Sequence, residues 1–180
     1  MHPKLLVHVR HGQSIGNLLD EDGRAKLSMS TSDYPLTELG HEQARITGDY
    51  LRKRFGIFDV AFTSHYIRAR ETLASLNINA KELVIEPLLA ESNRGIWHIV
   101  PRDEMGQKYP DEVRRKKLEG LYHHRAIGGE NNADVEMRIA LFQHRLAHEY
   151  AGKKVLVIVH GTWQLLFERR FYNQTPERFV

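Results

Sequence analysis

The chain has 180 residues, 41% hydrophobic and 27% charged, with a formal net charge of +3, which fits one domain over residues 1–180 with a core of ordinary size. It contains no cysteine, which excludes disulfides and thiolate metal sites. No apolar run approaches the ~18 residues of a membrane span and no signal-peptide pattern opens the chain, so the expected location is cytoplasmic, away from membranes.

In chain order, Leu5 to Val9 reads as a fully buried parallel strand ending in Arg10-His11-Gly12. From Ser14 the chain turns helical, with Gly16 and Asn17 early in the turn, and Asp20 to Pro35 reads as a polar loop. Thr37 is an N-cap with Glu38 in the first turn, and Ala44, Thr47, Leu51 and Phe55 carry that helix to about Arg54. Val60 to Thr63 is a second strand. Ser64 then caps a helix bearing Arg68, Ala69, Thr72 and Leu76. Leu83 to Ile85 is a third strand, followed by an irregular stretch from Leu88 to Gly129 with one helix from Asp111 to Leu118. Asn131 caps a long helix whose apolar stripe is Val135, Ile139, Phe142, Leu146 and Tyr150. Val155 to Val159 is the clearest buried strand. It too ends in His160-Gly161 and enters a helix from Thr162 to Phe171. Strands alternating with helices imply a three-layer α/β/α domain with a mostly parallel central sheet.

Ligands of such sheets bind beyond the C-terminal strand ends. Arg10, His11, Asn17, Arg68 and His160 fall there or at the following helix starts, with Glu91 after the third strand. Arginine is no metal ligand here, and His11, His160 and Glu91 lack the local spacing of a zinc site. Guanidinium groups and helix N-termini suit a phosphate dianion instead. A neutral imidazole can attack phosphorus, and a carboxylic acid must protonate the leaving alkoxide. Glu91 is the candidate acid, with Glu86 and Glu104 nearby. The remaining histidines, His8, His65, His98, His123 and His124, read as packing or surface groups. The cluster Arg114-Arg115-Lys116-Lys117, mixed with Asp111, Glu112 and Glu119, reads as a solvated helix surface. Without interleaved aromatics or a recognised motif it does not make a nucleic-acid site.

The chain resembles the histidine phosphatase superfamily, the phosphoglycerate mutase-like family, from about Lys4 to about Phe171. The segments that carry the likeness are Arg10-His11-Gly12-Gln13-Ser14 with Asn17, Leu36-Thr37-Glu38-Leu39-Gly40, Ser64 with Arg68-Ala69 and Thr72, Leu89 with Glu91 and Gly95, Gly129-Glu130 with Asp134 and Arg138, and Val159-His160-Gly161. The resemblance implies His11 as the phosphorylated nucleophile. Arg10, Arg68 and His160 would bind the phosphoryl group, Asn17 would line the pocket, and Glu91 would be proton donor. It implies neither metal nor other cofactor, and a small phosphorylated metabolite as substrate.

The sequence departs from the mutases of that family, which carry Glu-Arg-His-Tyr-Gly at the acid where this chain reads Glu91-Ser92-Asn93-Arg94-Gly95. That favours hydrolysis, the phosphatase branch, over phosphoglycerate mutase transfer. A non-catalytic phospho-ligand binder is the third reading, against which both nucleophile and acid are present. Residues 92–128 are expected to form a lid that sets specificity. Family members usually continue into one more strand, whereas this chain stops at Phe179-Val180. Either the sheet lacks that C-terminal edge strand or the chain is truncated. The uncovered edge would be a pairing surface, with a homodimer as the corresponding expectation.

Overall fold

The computed structural model describes residues 2–175. Among them four strands, β1 (Leu5–Arg10), β2 (Val60–Thr63), β3 (Leu83–Ile85) and β4 (Lys154–Val159), form one parallel sheet in the order β1-β4-β2-β3. Seven helices accompany them: α1 (Glu21–Ala25), α2 (Glu38–Phe55), α3 (Ile67–Leu76), α4 (Arg102–Lys108), α5 (Pro110–His123), α6 (Asn132–Glu149) and α7 (Gly161–Phe171).

The two faces of β4 explain the three layers. Val155, Val157 and Val159 pack with Val135, Ile139 and Phe142 of α6 and with Trp163 and Leu166 of α7. Leu156 and Ile158, on the opposite face, pack with Leu51 of α2 and with Ala69 and Leu76 of α3. Each of the Val, Leu, Ile and Phe side chains among them contributes roughly 1.5–3 kcal/mol on full burial. An apolar strand without alternation is what a sheet covered on both faces requires. Close approach of α2 and α3 depends on Gly48, where a Cβ would stand 1.9 Å from the Leu76 carbonyl oxygen.

Local chemistry sets the helix starts. Thr37 Oγ1 accepts from Gly40 N at 3.1 Å. Asn131 Oδ1 accepts from Asp134 N at 2.9 Å while Asp134 Oδ2 accepts from Asn131 N at 3.0 Å, a reciprocal cap on α6. Pro110 opens α5 at a position where its missing N–H costs nothing.

Several elements differ from expectation. β1 is half-buried, not fully buried, because it lies at the sheet edge with only β4 beside it. β3 is the other edge, with Leu83 and Ile85 exposed. The helical turn after Ser14 is a single 3-10 turn, Ile15–Asn17. The polar loop contains α1, because Asp20 accepts from Gly23 N at 2.7 Å and Glu21 and Asp22 occupy the first turn. Tyr66, not Ser64, is the N-cap of α3, and Ser64 Oγ accepts from Tyr66 N at 3.3 Å one step earlier. The helix expected over Asp111 to Leu118 runs from Pro110 to His123, kinked at Gly120 (φ +72°). The expectation of a missing edge strand concerns residues 176–180, which lie outside the described residues. No helix of the described residues is long and apolar enough to cross a membrane.

Candidate active site

The parallel pairing of β1 with β4 puts the two His-Gly pairs side by side. Arg10 pairs with Val159 in register, and His11 N donates to Val159 O at 3.0 Å. His11 and His160 therefore leave adjacent strand ends together, with their ring centroids 5.1 Å apart. The loop after His11 is clamped. Gly12 N donates to Thr72 Oγ1 at 3.0 Å, and Thr37 N donates to Gln13 O at 2.9 Å. A Cβ at Gly12 would lie 2.4 Å from Gly40 O, so only glycine lets this loop rest on the first turn of α2.

The His11 ring is oriented at both nitrogens. Nδ1 lies 2.8 Å from Gly12 O, which fixes the proton there. Nε2 then carries the lone pair and accepts from Arg68 Nε at 3.1 Å. Arg68 is buried on the second residue of α3, donates from Nη1 to Thr31 O at 2.6 Å, and lies 4.7 Å from the centre of the Tyr66 ring. The Arg10 guanidinium reaches over the start of α7, 3.6 Å from where a Cβ would stand on Gly161. Asn17 Oδ1 accepts from Ser14 N at 2.9 Å and Ser14 Oγ at 3.0 Å, which leaves Nδ2 as its remaining donor.

Glu91 lines the same cavity as these cations. Its Oε1 accepts from Ser92 N at 2.8 Å and its Oε2 from Thr162 N at 3.4 Å, in the first turn of α7. The turn carrying it is held by Arg138. That side chain donates from Nη1 to Leu88 O at 2.9 Å and to Ala90 O at 3.1 Å, and forms a fork to Glu130 at 2.8 and 3.0 Å. Trp163 Nε1 also donates to Leu88 O, at 3.0 Å.

Arg10, His11, Asn17, Arg68 and Glu91 line one cavity of about 400 Å³. His160 does not. It is completely buried, flanked by the rings of His11 and Tyr66, with no hydrogen-bond partner on either ring nitrogen among the described residues. Sequence reasoning missed Arg24 and Tyr34, which also line the cavity. Asp20 followed by Glu21-Asp22, an N-cap pattern, was the available signal for the helix that brings Arg24 in. His98 and Trp97, from the expected lid segment, line the cavity as well. Among the described residues no three His, Asp or Glu side chains are grouped to hold a metal ion.

Burial, then the charges of Arg68 and Arg10, lowers the His11 pKa from 6.5 to about 4, against the opposing pull of its bond to Gly12 O. The imidazole is neutral and nucleophilic at neutral pH. Burial and then Arg68 hold His160 well below its ordinary value. Burial takes His8 and His98 to about 4. His8 packs against Trp163 and Phe167, a core group as expected. These four groups make stability fall with acid. Between about pH 6.5 and about pH 4 the unfolded chain binds more protons than the folded one, so unfolding free energy is full above the unfolded value and declines as pH drops through that window. For His8 alone the shift corresponds to about 3 kcal/mol. Urea midpoints measured from pH 7 to pH 4 are expected to fall steadily, and His8→Phe is expected to flatten that slope.

A family model described as the histidine phosphatase superfamily (branch 1) matches residues 6–179. The 2,3-bisphosphoglycerate-dependent phosphoglycerate mutase 2 of Gloeobacter violaceus is 36% identical over 167 residues, spanning 87% of this chain and 70% of that protein. Among solved structures, the alpha-ribazole phosphatase from Shigella flexneri superposes with a TM-score of 0.76 at 22% identity, covering 96% of this chain and 81% of the other. The phosphoserine phosphatase from Entamoeba histolytica, solved in complex with 3-phosphoglyceric acid, does so with a TM-score of 0.72 at 22% identity, covering 97% and 82%. The structural likenesses concern the fold. With the family match they place the chain in the histidine phosphatase superfamily, on the phosphoglycerate mutase-like fold.

Proposed function

We propose that the protein is a phosphomonoesterase that works without a metal through a phosphohistidine on His11. The observation that carries this is the His11 ring, fixed through Nδ1 to Gly12 O with an unprotonated Nε2 at the cavity beside Arg68. In the first step Arg68 Nε passes its hydrogen bond from His11 Nε2 to a phosphoryl oxygen, and the freed Nε2 lone pair forms a bond to phosphorus as the P–O bond to the leaving group breaks. The leaving oxygen takes a proton from Glu91. In the second step the Glu91 carboxylate takes a proton from water, the water oxygen bonds to phosphorus, and the N–P pair returns to Nε2. Arg10, Arg68 and the Asn17 amide bind the phosphoryl oxygens. Their charge counts most in the transition state, because the groups are held in place before charge develops on the phosphoryl oxygens. His160 supports the site from behind His11 and can donate one ring N–H. Residues 92–128 act as the lid, bringing Ser92, Arg94, Trp97 and His98 to the cavity. A cavity of this volume suits a small phosphorylated metabolite.

Mutase transfer is the second reading, favoured by the curated relative from Gloeobacter violaceus, a phosphoglycerate mutase. Both are tested together. The protein is incubated with a generic aryl phosphate plus chelator, quenched in alkali, where the N–P bond survives, and assayed for a phosphohistidine label. Separately, 3-phosphoglycerate is supplied with catalytic 2,3-bisphosphoglycerate. Turnover with chelator, a transient label and release of inorganic phosphate are expected. Isomerisation outpacing phosphate release favours the mutase. Binding with no label favours a non-catalytic phospho-ligand binder.

A further inference from the structure

We infer that Glu112 is a positioning residue that holds Trp97 as the wall of a leaving-group chamber. The inference rests on the phosphoester reading above. Glu112 belongs to the charged stretch that reads as solvated surface, and most of that stretch is exposed, yet Glu112 is 3% exposed. A buried carboxylate is costly unless donors surround it. Three do. Arg115 Nη1 donates to Oε2 at 3.2 Å. Trp97 Nε1 and Ile127 N each donate to Oε1 at 3.3 Å. His124 Nε2 stands 3.0 Å from the same oxygen without the geometry of a hydrogen bond. One carboxylate therefore ties together three separate pieces: α5, the Gly95–His98 turn, and the loop at Ile127.

The consequence for the cleft lies in Trp97. Its indole N–H is spent on Glu112, and the Lys116 ammonium lies 3.6 Å from its ring centre. Held at edge and face, the ring borders both the phosphate cavity and a second chamber of about 320 Å³. His11, Arg10 and Arg68 line only the first. The phosphoryl group is thereby confined to the first chamber, and the second receives what is attached to it. Arg94, Arg102 and Lys116 border the second chamber. Arg94 and Arg102 share the single carboxylate of Glu21, at 3.4 and 2.5 Å. Glu112 touches none of the reacting atoms; it acts through Trp97.

The test compares Glu112→Ala and Glu112→Gln with wild type on phenyl phosphate and 2-naphthyl phosphate, leaving groups of similar basicity and different size. The backbone bond from Ile96 N to Ile127 O, 3.1 Å, keeps the turn attached in both variants. Glu112→Ala is expected to raise KM for the naphthyl ester about tenfold or more, with less than about threefold change for the phenyl ester and kcat retained. Affinity for inorganic phosphate, read by calorimetry, is expected to hold. Glu112→Gln, which keeps one acceptor oxygen for Trp97 and Ile127, recovers part of the loss. Tryptophan emission should move to the red in Glu112→Ala and not in Trp97→Phe/Glu112→Ala. Equal change on both esters, none included, or a parallel loss of phosphate affinity overturns the assignment. If wild type turns over neither ester, the phosphoester reading is what fails. Glu112 is then judged on emission alone, a shift supporting its hold on Trp97 and no shift overturning it.

Discussion

His11→Ala is expected to abolish phosphoester turnover, a loss of at least about 10⁴-fold of the kind seen when a covalent nucleophile is removed. The expectation follows from what the ring does that no neighbour can. Nδ1 is bonded to Gly12 O, which leaves Nε2, beside Arg68, as the ring's nucleophilic atom. Arg10 and Arg68 remain in the variant, so phosphate affinity should survive within a few fold while chemistry stops. That split separates loss of the nucleophile from loss of the pocket. The phosphohistidine label should vanish with activity. An equally active variant sinks the covalent mechanism. An inactive variant that has also lost phosphate binding points instead to collapse of the Gly12 loop. The acid limb of kcat/KM offers an independent reading. Burial and the two arginines keep His11 neutral down to about pH 4, so its protonation removes the lone pair only below that value and not near the 6.5 of an ordinary imidazole.

The features that proved readable from sequence were those written locally. The Val155 to Val159 run has apolar residues on both faces because both faces are covered, and the cap of Asn131 and Asp134 closes on itself within four residues. The His-Gly pairs at positions 11 and 160 are likewise strand ends, and the register of β1 on β4 brings them together. What was not readable depends on pairings between distant segments. Leu5 to Val9 is as apolar as a central strand, and nothing within it says that β4 alone lies beside it. Glu112 reads as one more surface acid, because the donors that bury it come from Trp97 and Ile127, 15 residues away on either side. The family resemblance implies that His160 binds the phosphoryl group, and its side chain is fully buried. The burial that hides it from the cavity comes from Tyr66 and His11. Arg138 came from sequence with no role of its own, and three carbonyl and carboxylate partners show that it braces the turn that carries Glu91.

Glu91→Gln is expected to slow formation of the phosphohistidine from an alkyl phosphate by about 10²–10⁴-fold, the usual worth of a general acid. From p-nitrophenyl phosphate, whose phenolate leaves unaided, the same step should change by only a few fold. The side chain sits where this division arises. Its two oxygens accept from Ser92 N and Thr162 N, so both N–H groups are satisfied by a carboxyl group, while the face toward His11 stays on the cavity. Glutamine has nearly the same volume, but it can offer no proton of carboxylic acidity, and its amide donor must face one of those two N–H groups. Steady-state rates would blur the contrast, because the same carboxylate is also the base that activates water in the second step. The measurement is therefore the single-turnover rate of label formation, followed by the rate of label decay. With p-nitrophenyl phosphate the variant should release a burst of nitrophenolate and then accumulate phosphohistidine, since formation is spared and hydrolysis is not. Equal slowing of label formation for both esters would remove Glu91 as the acid. Fast formation from both with slow decay would leave it the base alone and assign the leaving-group proton to another donor at the cavity.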